Sequence, residues 1–207
     1  MKTLLIATTN PGKMLEMKNL FEMVSPHEFF LVIPQETGIQ MEVAEDGQTY
    51  QENASKKALA FCQASGLPTL ADDSGLEVAA LDGRPGMYSA RYTGTHTLQR
   101  QAVQLSDAGR RAALLRELHT HPRPWLARFF CSVAVALPDG ALLHTQGECQ
   151  GEIIPEERGT NGFGYDPIFQ IGDPAYADLT MAQLSLEQKN RVSHRAMAVR
   201  RMIDQLR

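Results

Sequence analysis

The sequence predicts an α/β fold around a central mixed sheet, and three features support this class. Short apolar runs alternate with segments of helical spacing, as in βα units. The run Pro138-Asp139-Gly140 between two further strand segments is a hairpin signal, which adds an antiparallel component. The 207 residues are 43% hydrophobic, enough for one large domain, or for two lobes that share a sheet, without a metal or disulfide staple.

The chain opens with a strand, a turn and a helix. Thr3–Ala7 is a short apolar run typical of a buried strand, and it is too short for a signal peptide or membrane span. Thr8–Lys13 has turn chemistry, and helical spacing of apolar residues follows over 13–23. Phe29–Ile33 predicts the second strand because it is again a short apolar run.

The middle of the chain continues this alternation. A helix is predicted over 49–64, and Gly66-Leu67-Pro68 ends it because glycine and proline stop helices. Thr69–Ala71 predicts a short strand that runs into the acidic sequence Asp72-Asp73-Ser74-Gly75. Residues 98–118 have a helical pattern, with an interruption near Gly109 left open.

The last part of the chain predicts a hairpin and a long helical segment. Arg128–Leu137 and Ala141–Gln146 are the hairpin strands, and Thr180–Leu206 is mostly helical. Ser193 is a candidate cap for the final helix. The apolar stripe of that helix consists of Val199, Met202, Ile203 and Leu206.

Charge and cysteine content limit the partners and the compartment. The formal net charge of −4 disfavours a nucleic acid polymer as partner, although a few local cations could still hold a small anion. The three cysteines, Cys62, Cys131 and Cys149, show no metal-ligand spacing, which argues against disulfides and structural zinc. We therefore expect a reducing, cytoplasmic location.

The turn Thr8-Thr9-Asn10-Pro11-Gly12-Lys13 between the first strand and helix is a candidate phosphate site. Amide groups at a helix N-terminus attract anions, and the threonine hydroxyls, the Asn10 amide and the Lys13 ammonium add donors. The turn is not a Walker A loop, because Ala7 replaces its first glycine and Met14 its Ser or Thr. The alternative is an ordinary capped helix with a surface lysine.

Two acidic runs, Glu45-Asp46-Gly47 and Asp72-Asp73-Ser74-Gly75, are candidate magnesium sites or else solvated turns. Neighbouring residues on an extended strand point to opposite faces, so Asp72 and Asp73 are expected to do different jobs. Lys56 and Lys57 lie about 100° apart on a predicted helix, so at most one should face a central site, and Lys56 is the better candidate for solvent.

Residues 162–167 read Gly-Phe-Gly-Tyr-Asp-Pro. A phenylalanine between two glycines can present its ring to a flat ligand such as a nucleobase, and the following aspartate can accept hydrogen bonds from a ring edge. The alternative is a loop whose Phe163 fills the core. Lys189, His194 and Arg195 could donate to base carbonyls, or could simply form a charged helix junction.

Together these runs make the chain resemble the inosine triphosphate pyrophosphatases, which hydrolyse non-standard purine nucleoside triphosphates. The resemblance covers nearly the whole chain in family order, with no signature between Gly94 and Arg128, so no function is inferred for that helical insert. The matching runs are 7–13, 45–57, 70–76, 85–92, 159–169 and 181–196. Small departures occur at Thr9, Asp46 and Gln183.

The resemblance implies a single elongated, two-lobed domain over 1–207 with the active-site cleft between the lobes. It further implies a homodimer that needs Mg²⁺ and cleaves ITP, dITP and XTP between the α- and β-phosphates. A protein that binds nucleotides without turnover remains the alternative. The implied metal ligands are Glu45 and Asp73, and Asp73 is also the implied activator of water. The implied substrate-binding residues are Thr8, Thr9, Asn10, Pro11, Gly12, Lys13, Lys57 and Ser74 for the phosphates, and Phe163, Gly164, Tyr165, Asp166, Lys189, His194 and Arg195 for the base.

Overall fold

A computed structural model of the protein describes residues 1–94 and 105–207. The strands are β1 (Lys2–Ile6), β2 (Phe29–Val32), β3 (Thr69–Val78), β4 (Pro85–Gly86), β5 (Trp125–Ala136), β6 (Leu142–Ile153) and β7 (Phe169–Ile171). The α-helices are α1 (Pro11–Val24), α2 (Tyr50–Ser65), α3 (Asp107–Leu118), α4 (Leu186–Val192) and α5 (His194–Leu206). None of the helices in these two ranges combines the length and apolarity that a membrane crossing requires.

The seven strands form one mixed sheet in the order β2-β1-β3-β5-β6-β7, with β4 paired to β3. β1 runs parallel to both β2 and β3, as expected for strands joined through helices. β4 and β7 run antiparallel to β3 and β6, and a short turn joins β5 to β6 as the hairpin signal predicted. The predicted α/β class with a central mixed sheet is confirmed.

The prediction was wrong about where the third strand ends. The strand was expected to stop at Ala71, whereas β3 continues to Val78 and carries Asp72 and Asp73 as buried strand residues. Polar residues rarely sit in a buried strand unless partners satisfy them. Both aspartates have such partners on other elements, and a local pattern cannot show these partners.

The helices also refine the sequence predictions. α3 runs through Gly109 without interruption, and the Ser106 hydroxyl caps it by accepting from the Gly109 amide at 3.2 Å; residues 98–104 of the predicted helix lie outside the described residues. The segment Thr180–Leu206 divides into a short helical turn and two helices. Ser193 caps α5 as predicted, accepting from the Ala196 amide at 3.2 Å.

The strands β4 and β7 were not predicted, because two or three residues give no usable periodicity.

The chain divides into two compact units. Unit 1 consists of residues 1–73, 131–147 and 193–207, and its core includes the predicted stripe of α5, in which Val199, Met202 and Ile203 are fully buried. Unit 2 consists of residues 74–130 and 148–192, and its core packs α3 with Trp125 and Phe169. The elongated shape and the cleft implied by the resemblance stay predictions.

Candidate active site

The turn that follows β1 is built by its own side chains. Pro11 begins α1, where a missing amide hydrogen costs nothing, and the Asn10 side chain accepts from the Lys13 amide at 3.0 Å. The backbone N–H of Asn10 in turn donates to the Thr8 hydroxyl oxygen at 3.2 Å. Thr9, Asn10 and Pro11 are exposed, so the predicted turn is confirmed as a structure, while its phosphate-binding role stays a prediction.

A buried charge network lies against the end of this turn in unit 1. Lys13 Nζ lies 3.0 Å from Asp72 Oδ2, and Arg195 Nε lies 3.2 Å from the same oxygen. Arg195 also pairs with Glu16, and the residues Glu16, Asp72 and Arg195 are all almost fully buried. Burial alone would raise the pKa of Asp72, but the charges of Lys13 and Arg195 hold that pKa well below its usual range. Asp72 is therefore an ionised structural anion.

Asp73 faces a different environment, as expected for neighbouring residues on a strand. Its Oδ2 accepts a hydrogen bond from Asn53 Nδ2 of α2 at 2.9 Å, and 5% of the residue is exposed. Burial raises the pKa of Asp73 above its ordinary value, with Lys57 opposing the rise and Glu45 adding to it. Asp73 therefore binds a proton more readily than an exposed carboxylate does.

Asn53 is a site residue that the sequence analysis did not single out. Its amide nitrogen donates to Asp73, and its Oδ1 accepts from the Gly47 amide at 2.8 Å, so one side chain joins the two acidic runs. A Cβ at position 47 would lie 2.7 Å from Asn53 Oδ1 and 2.8 Å from Glu52 Cβ, so a larger residue there would displace the Asn53 side chain. The only local hint in the sequence was that Asn53 is a polar residue in the predicted helix, six positions after Gly47 of the acidic run 45–47.

The two neighbouring lysines of α2 point in different directions, as predicted: Lys57 toward the acidic runs and Lys56 toward solvent. Lys57 Nζ lies 2.6 Å from Glu45 Oε1 and donates to the Asp72 carbonyl oxygen at 2.5 Å, with 14% of its side chain exposed. Lys56 instead pairs with Asp46 on the surface. Burial lowers the pKa of Lys57, but Asp72 and Glu45 more than compensate and raise it above its ordinary value. Lys57 is therefore a fixed positive charge between the two acidic runs.

The loop 162–167 in unit 2 presents an aromatic ring. The Phe163 side chain is half-buried and belongs to none of the buried clusters of the described residues, so it does not fill a core. Lys189 Nζ lies 4.9 Å from the centre of its ring, as a cation–π pair. Asp166 Oδ2 accepts from the Phe163 amide at 2.8 Å and pairs with Lys189, so this carboxylate holds the loop together.

The remaining predicted residues lie in several places. The Tyr165 ring is buried in the core of unit 2, where its hydroxyl donates to the Ser89 carbonyl oxygen at 2.9 Å, and Gly164 precedes it in the loop. Ser74 is half-buried on β3, the first residue of unit 2. His194 and Arg195 begin α5 in unit 1, whereas the Phe163 loop and Lys189 belong to unit 2. The roles of these residues toward a base stay predictions.

We predict that Gly162→Ala damages substrate binding more than Gly164→Ala. Both glycines have left-handed φ angles, +73° and +62°, so alanine is strained at either position. A Cβ at 162 would lie 2.0 Å from Asp166 Oδ2 and 3.2 Å from Lys189 Nζ, whereas a Cβ at 164 meets nothing within 4 Å.

Because a displacement of 1 Å can cost about 100-fold, KM for ITP, the substrate that the resemblance implies, should rise at least about tenfold more in Gly162→Ala than in Gly164→Ala. Steady-state kinetics of the two variants check this. Equal KM values would show that the pair formed by Asp166 and Lys189 does not shape the substrate site.

Comparison with known proteins assigns the chain as a whole to one family. The family model described as the Ham1 family matches residues 4–205. The dITP/XTP pyrophosphatase of Geobacter sulfurreducens is 42% identical over 207 residues, which is 100% of this chain and 97% of that protein. The Bacillus subtilis protein of the same name is 40% identical over 203 residues, covering 98% of this chain and 96% of that protein.

Solved structures agree with these sequence matches. A HAM1 protein from Coxiella burnetii has a TM-score of 0.82 at 35% identity, covering 100% of this chain and 98% of that one. The Staphylococcus aureus Ham1 protein has a TM-score of 0.79 at 37% identity, with 100% of both chains covered. The family model matches nearly the whole chain, and relatives of about 40% identity span its full length, so the chain belongs to the Ham1 family.

Proposed function

We propose that this protein hydrolyses the non-standard purine nucleoside triphosphates dITP, ITP and XTP to the nucleoside monophosphate and pyrophosphate. Relatives that match the chain along its whole length carry the name dITP/XTP pyrophosphatase, which supports this substrate class. The single structural observation that carries the proposal is the cluster around Asp73, where a buried carboxylate of raised pKa stands beside Lys57 and Glu45. A protein that only bound nucleotides would not need such a cluster.

In the proposed reaction, Asp73 orients a water molecule and accepts its proton while the water attacks the α-phosphorus. The bond to the β-phosphate bridging oxygen breaks, and pyrophosphate leaves without a covalent enzyme intermediate. Lys57 and Lys13, which are held near Asp72, offset the negative charge that builds up on the leaving group. Asn53 keeps Asp73 in place through its amide hydrogen bond.

We propose magnesium as the cofactor, with Glu45 and Asp73 as its protein ligands. Within residues 1–94 and 105–207, no group of three or more His, Cys, Asp or Glu side chains is arranged to hold a metal ion. Two carboxylates nevertheless fit magnesium, which usually keeps several waters and takes further ligands from substrate phosphates. Burial is the main cause of the raised pKa of Asp73 and the charge of Glu45 is a smaller one, so a cation at these carboxylates would favour their ionised forms. The bound ion would supply charge neutralisation at the phosphates.

We predict that Glu45→Gln raises the Mg²⁺ concentration needed for half-maximal activity about tenfold or more. Even the loss of a residue that only hydrogen-bonds to a metal ligand lowers metal affinity or activity by about 10–100-fold. Asp46→Asn is the matched control, because Asp46 is the next residue but pairs with Lys56 at the surface. Magnesium titrations of ITP hydrolysis by both variants provide the measurement. If the two variants respond alike, Glu45 is not a metal ligand.

Base selection in this proposal depends on hydrogen-bond polarity. Hypoxanthine and xanthine carry an acceptor oxygen at C6, whereas adenine carries a donor amino group there. Donors from Lys189, His194 and Arg195 would suit the oxygen and oppose the amino group, at a cost of about 1–3 kcal/mol for each mispaired group. Phe163 would stack on any purine, since stacking needs only a flat face.

We also propose that the protein works as a homodimer in the cytoplasm. All three cysteines are free and buried, which supports a reducing compartment. The dimer follows from the resemblance described above, and sedimentation equilibrium at micromolar concentration tests it. A monomer at all concentrations would contradict this part of the proposal.

The decisive test of the function is a product screen over the common and deaminated nucleoside triphosphates. We expect dITP, ITP and XTP to give monophosphate and pyrophosphate far faster than ATP. Phosphorus NMR or ion chromatography identifies the products. Release of orthophosphate with a nucleoside diphosphate would contradict the proposed cleavage site, and failure to turn over any purine nucleotide would contradict the function.

A further inference from the structure

Helix α3 makes a two-sided contact with the loop that carries Phe163. Asp107 Oδ2 accepts a hydrogen bond from the Gly164 amide at 2.6 Å, and Arg111 Nη1 donates to the Gly164 carbonyl oxygen at 2.8 Å. Asp107 and Arg111 are four residues apart, so they project from the same side of the helix. Both polar groups of residue 164 are therefore held from one helix face.

The Arg111 guanidinium is itself fixed in orientation. Its Nε and Nη2 each lie 2.8 Å from one oxygen of the Glu157 carboxylate, a bidentate pair. This pairing leaves Nη1 to reach Gly164, and Arg111 is 9% exposed. A lysine could keep the charge at this position but could not form the fork and reach the carbonyl oxygen at once.

The contact matters because the residue it holds has no conformational preference of its own. Gly162 and Gly164 flank Phe163 and both have left-handed φ angles, a region that glycine samples as freely as others. The interactions of Lys189 and Asp166 restrain one side of this ring, and the α3 contact restrains the backbone directly after it. Without that contact the loop would sample other conformations, and the fraction that presents the ring correctly would fall.

We propose that α3 holds the Phe163 ring in the orientation in which a purine base can stack on it. Asp107 and Arg111 are positioning residues, which fix Phe163 through their hydrogen bonds to the Gly164 peptide groups. This inference rests on the proposed function, because it assumes that Phe163 meets the purine. It assigns a role to part of the segment between Gly94 and Arg128, in which the sequence showed no motif. The residues act on substrate binding and not on the chemistry around Asp73.

The test compares Arg111→Lys and Asp107→Ala with Arg116→Lys, a control on the same helix whose side chain is exposed. KM for ITP should rise about tenfold in the first two variants if the competent fraction of the loop falls to about one tenth. Their kcat should stay within about twofold, and inhibition by inorganic tripolyphosphate, which has no base, should not change. Asp107→Asn should raise KM less than Asp107→Ala does, because its amide oxygen can still accept from the Gly164 amide even though the ion pair of Asp107 with Arg110 is lost.

Circular dichroism and thermal melting of each variant identify any loss of fold, and the assays are run well below each melting temperature. The inference is overturned if Arg111→Lys and Asp107→Ala change KM no more than Arg116→Lys. It is also overturned if tripolyphosphate inhibition weakens in parallel with ITP binding, because that would indicate general disruption. Failure of the proposed function is recognised separately, since the unmodified protein would then hydrolyse no purine triphosphate.

Discussion

Asp73→Asn is expected to lower kcat for ITP at least about 100-fold, because general-base assistance contributes that much or more. An amide has nearly the same shape as the carboxylate but cannot take a proton from water. It would also be a poorer magnesium ligand. The hydrogen bond from Asn53 can persist if the new amide turns its oxygen toward Asn53 Nδ2, so the fold should survive the change. Single-turnover kinetics with enzyme in excess over ITP and with saturating Mg²⁺ measure the effect on the chemical step.

The control for this substitution is Asp139→Asn in the β5–β6 turn. Asp139 is exposed and accepts from the Ala141 amide at 2.9 Å, a role that an asparagine oxygen can also perform. Its activity should stay close to that of the unmodified protein. Retention of more than about a tenth of the kcat in Asp73→Asn would remove Asp73 from the role of general base.

Arg195→Met is expected to lower the free energy of unfolding by about 3–5 kcal/mol, the usual effect of removing one partner from a buried ion pair. The substitution leaves Asp72 and Glu16 buried after they have lost a shared cation. Asp72 Oδ1 already has no hydrogen-bond partner among the described residues. In the variant, Asp72 would retain Lys13, the weak thiol donor Cys131 at 3.8 Å and the more distant charge of Lys57. Methionine fills a similar volume, which keeps the cost of a cavity small.

Urea denaturation of Arg195→Met and of the control Arg191→Met would give both free energies. Arg191 pairs with Glu187 on the surface of α4, where such a pair contributes about 0.5 kcal/mol or less. The decrease in the free energy of unfolding caused by Arg195→Met should also become smaller at low pH. Asp72 has a folded-state pKa below its unfolded value, so its stabilisation is present above the unfolded pKa and is lost as the pH falls. Equal losses in the two variants would show that the network adds nothing beyond surface charge.

Apolar spacing, capping and turn preferences predicted those elements that depend on residues close together in the sequence. The apolar spacing of 13–23 located α1, the Thr49 hydroxyl caps α2 by accepting from the Glu52 amide, and Ser193 caps α5. In each case the deciding contacts lie within four residues along the chain. The same holds for the turn after β5, where proline, aspartate and glycine set the backbone.

Long-range partners were beyond these rules. Asp72 reads as part of an acidic turn until Arg195, 123 positions later, is placed against it. Asn53 reads as a polar helix residue until its two hydrogen bonds to Gly47 and Asp73 are seen. The contact of Arg111 with Gly164 spans 53 positions and carries no motif. The position of Phe163 outside the buried clusters also had to come from the structure, since the motif allowed either placement.

The pleat of β3 places the two neighbouring aspartates in different environments, although their side chains are chemically identical. Asp72 turns toward Lys13 and Arg195, and Asp73 turns toward Asn53, because successive strand residues alternate in direction. A slip of β3 by one residue would turn each aspartate to the opposite face of the sheet, so that Asp72 would leave its buried cations and Asp73 would lose Asn53. The position of each aspartate along the strand, odd or even, thus decides which partners its carboxylate meets. An insertion or deletion within β3 before Asp72 would therefore remove both sets of contacts at once, whereas a substitution of Asp72 or of Asp73 removes only one of them.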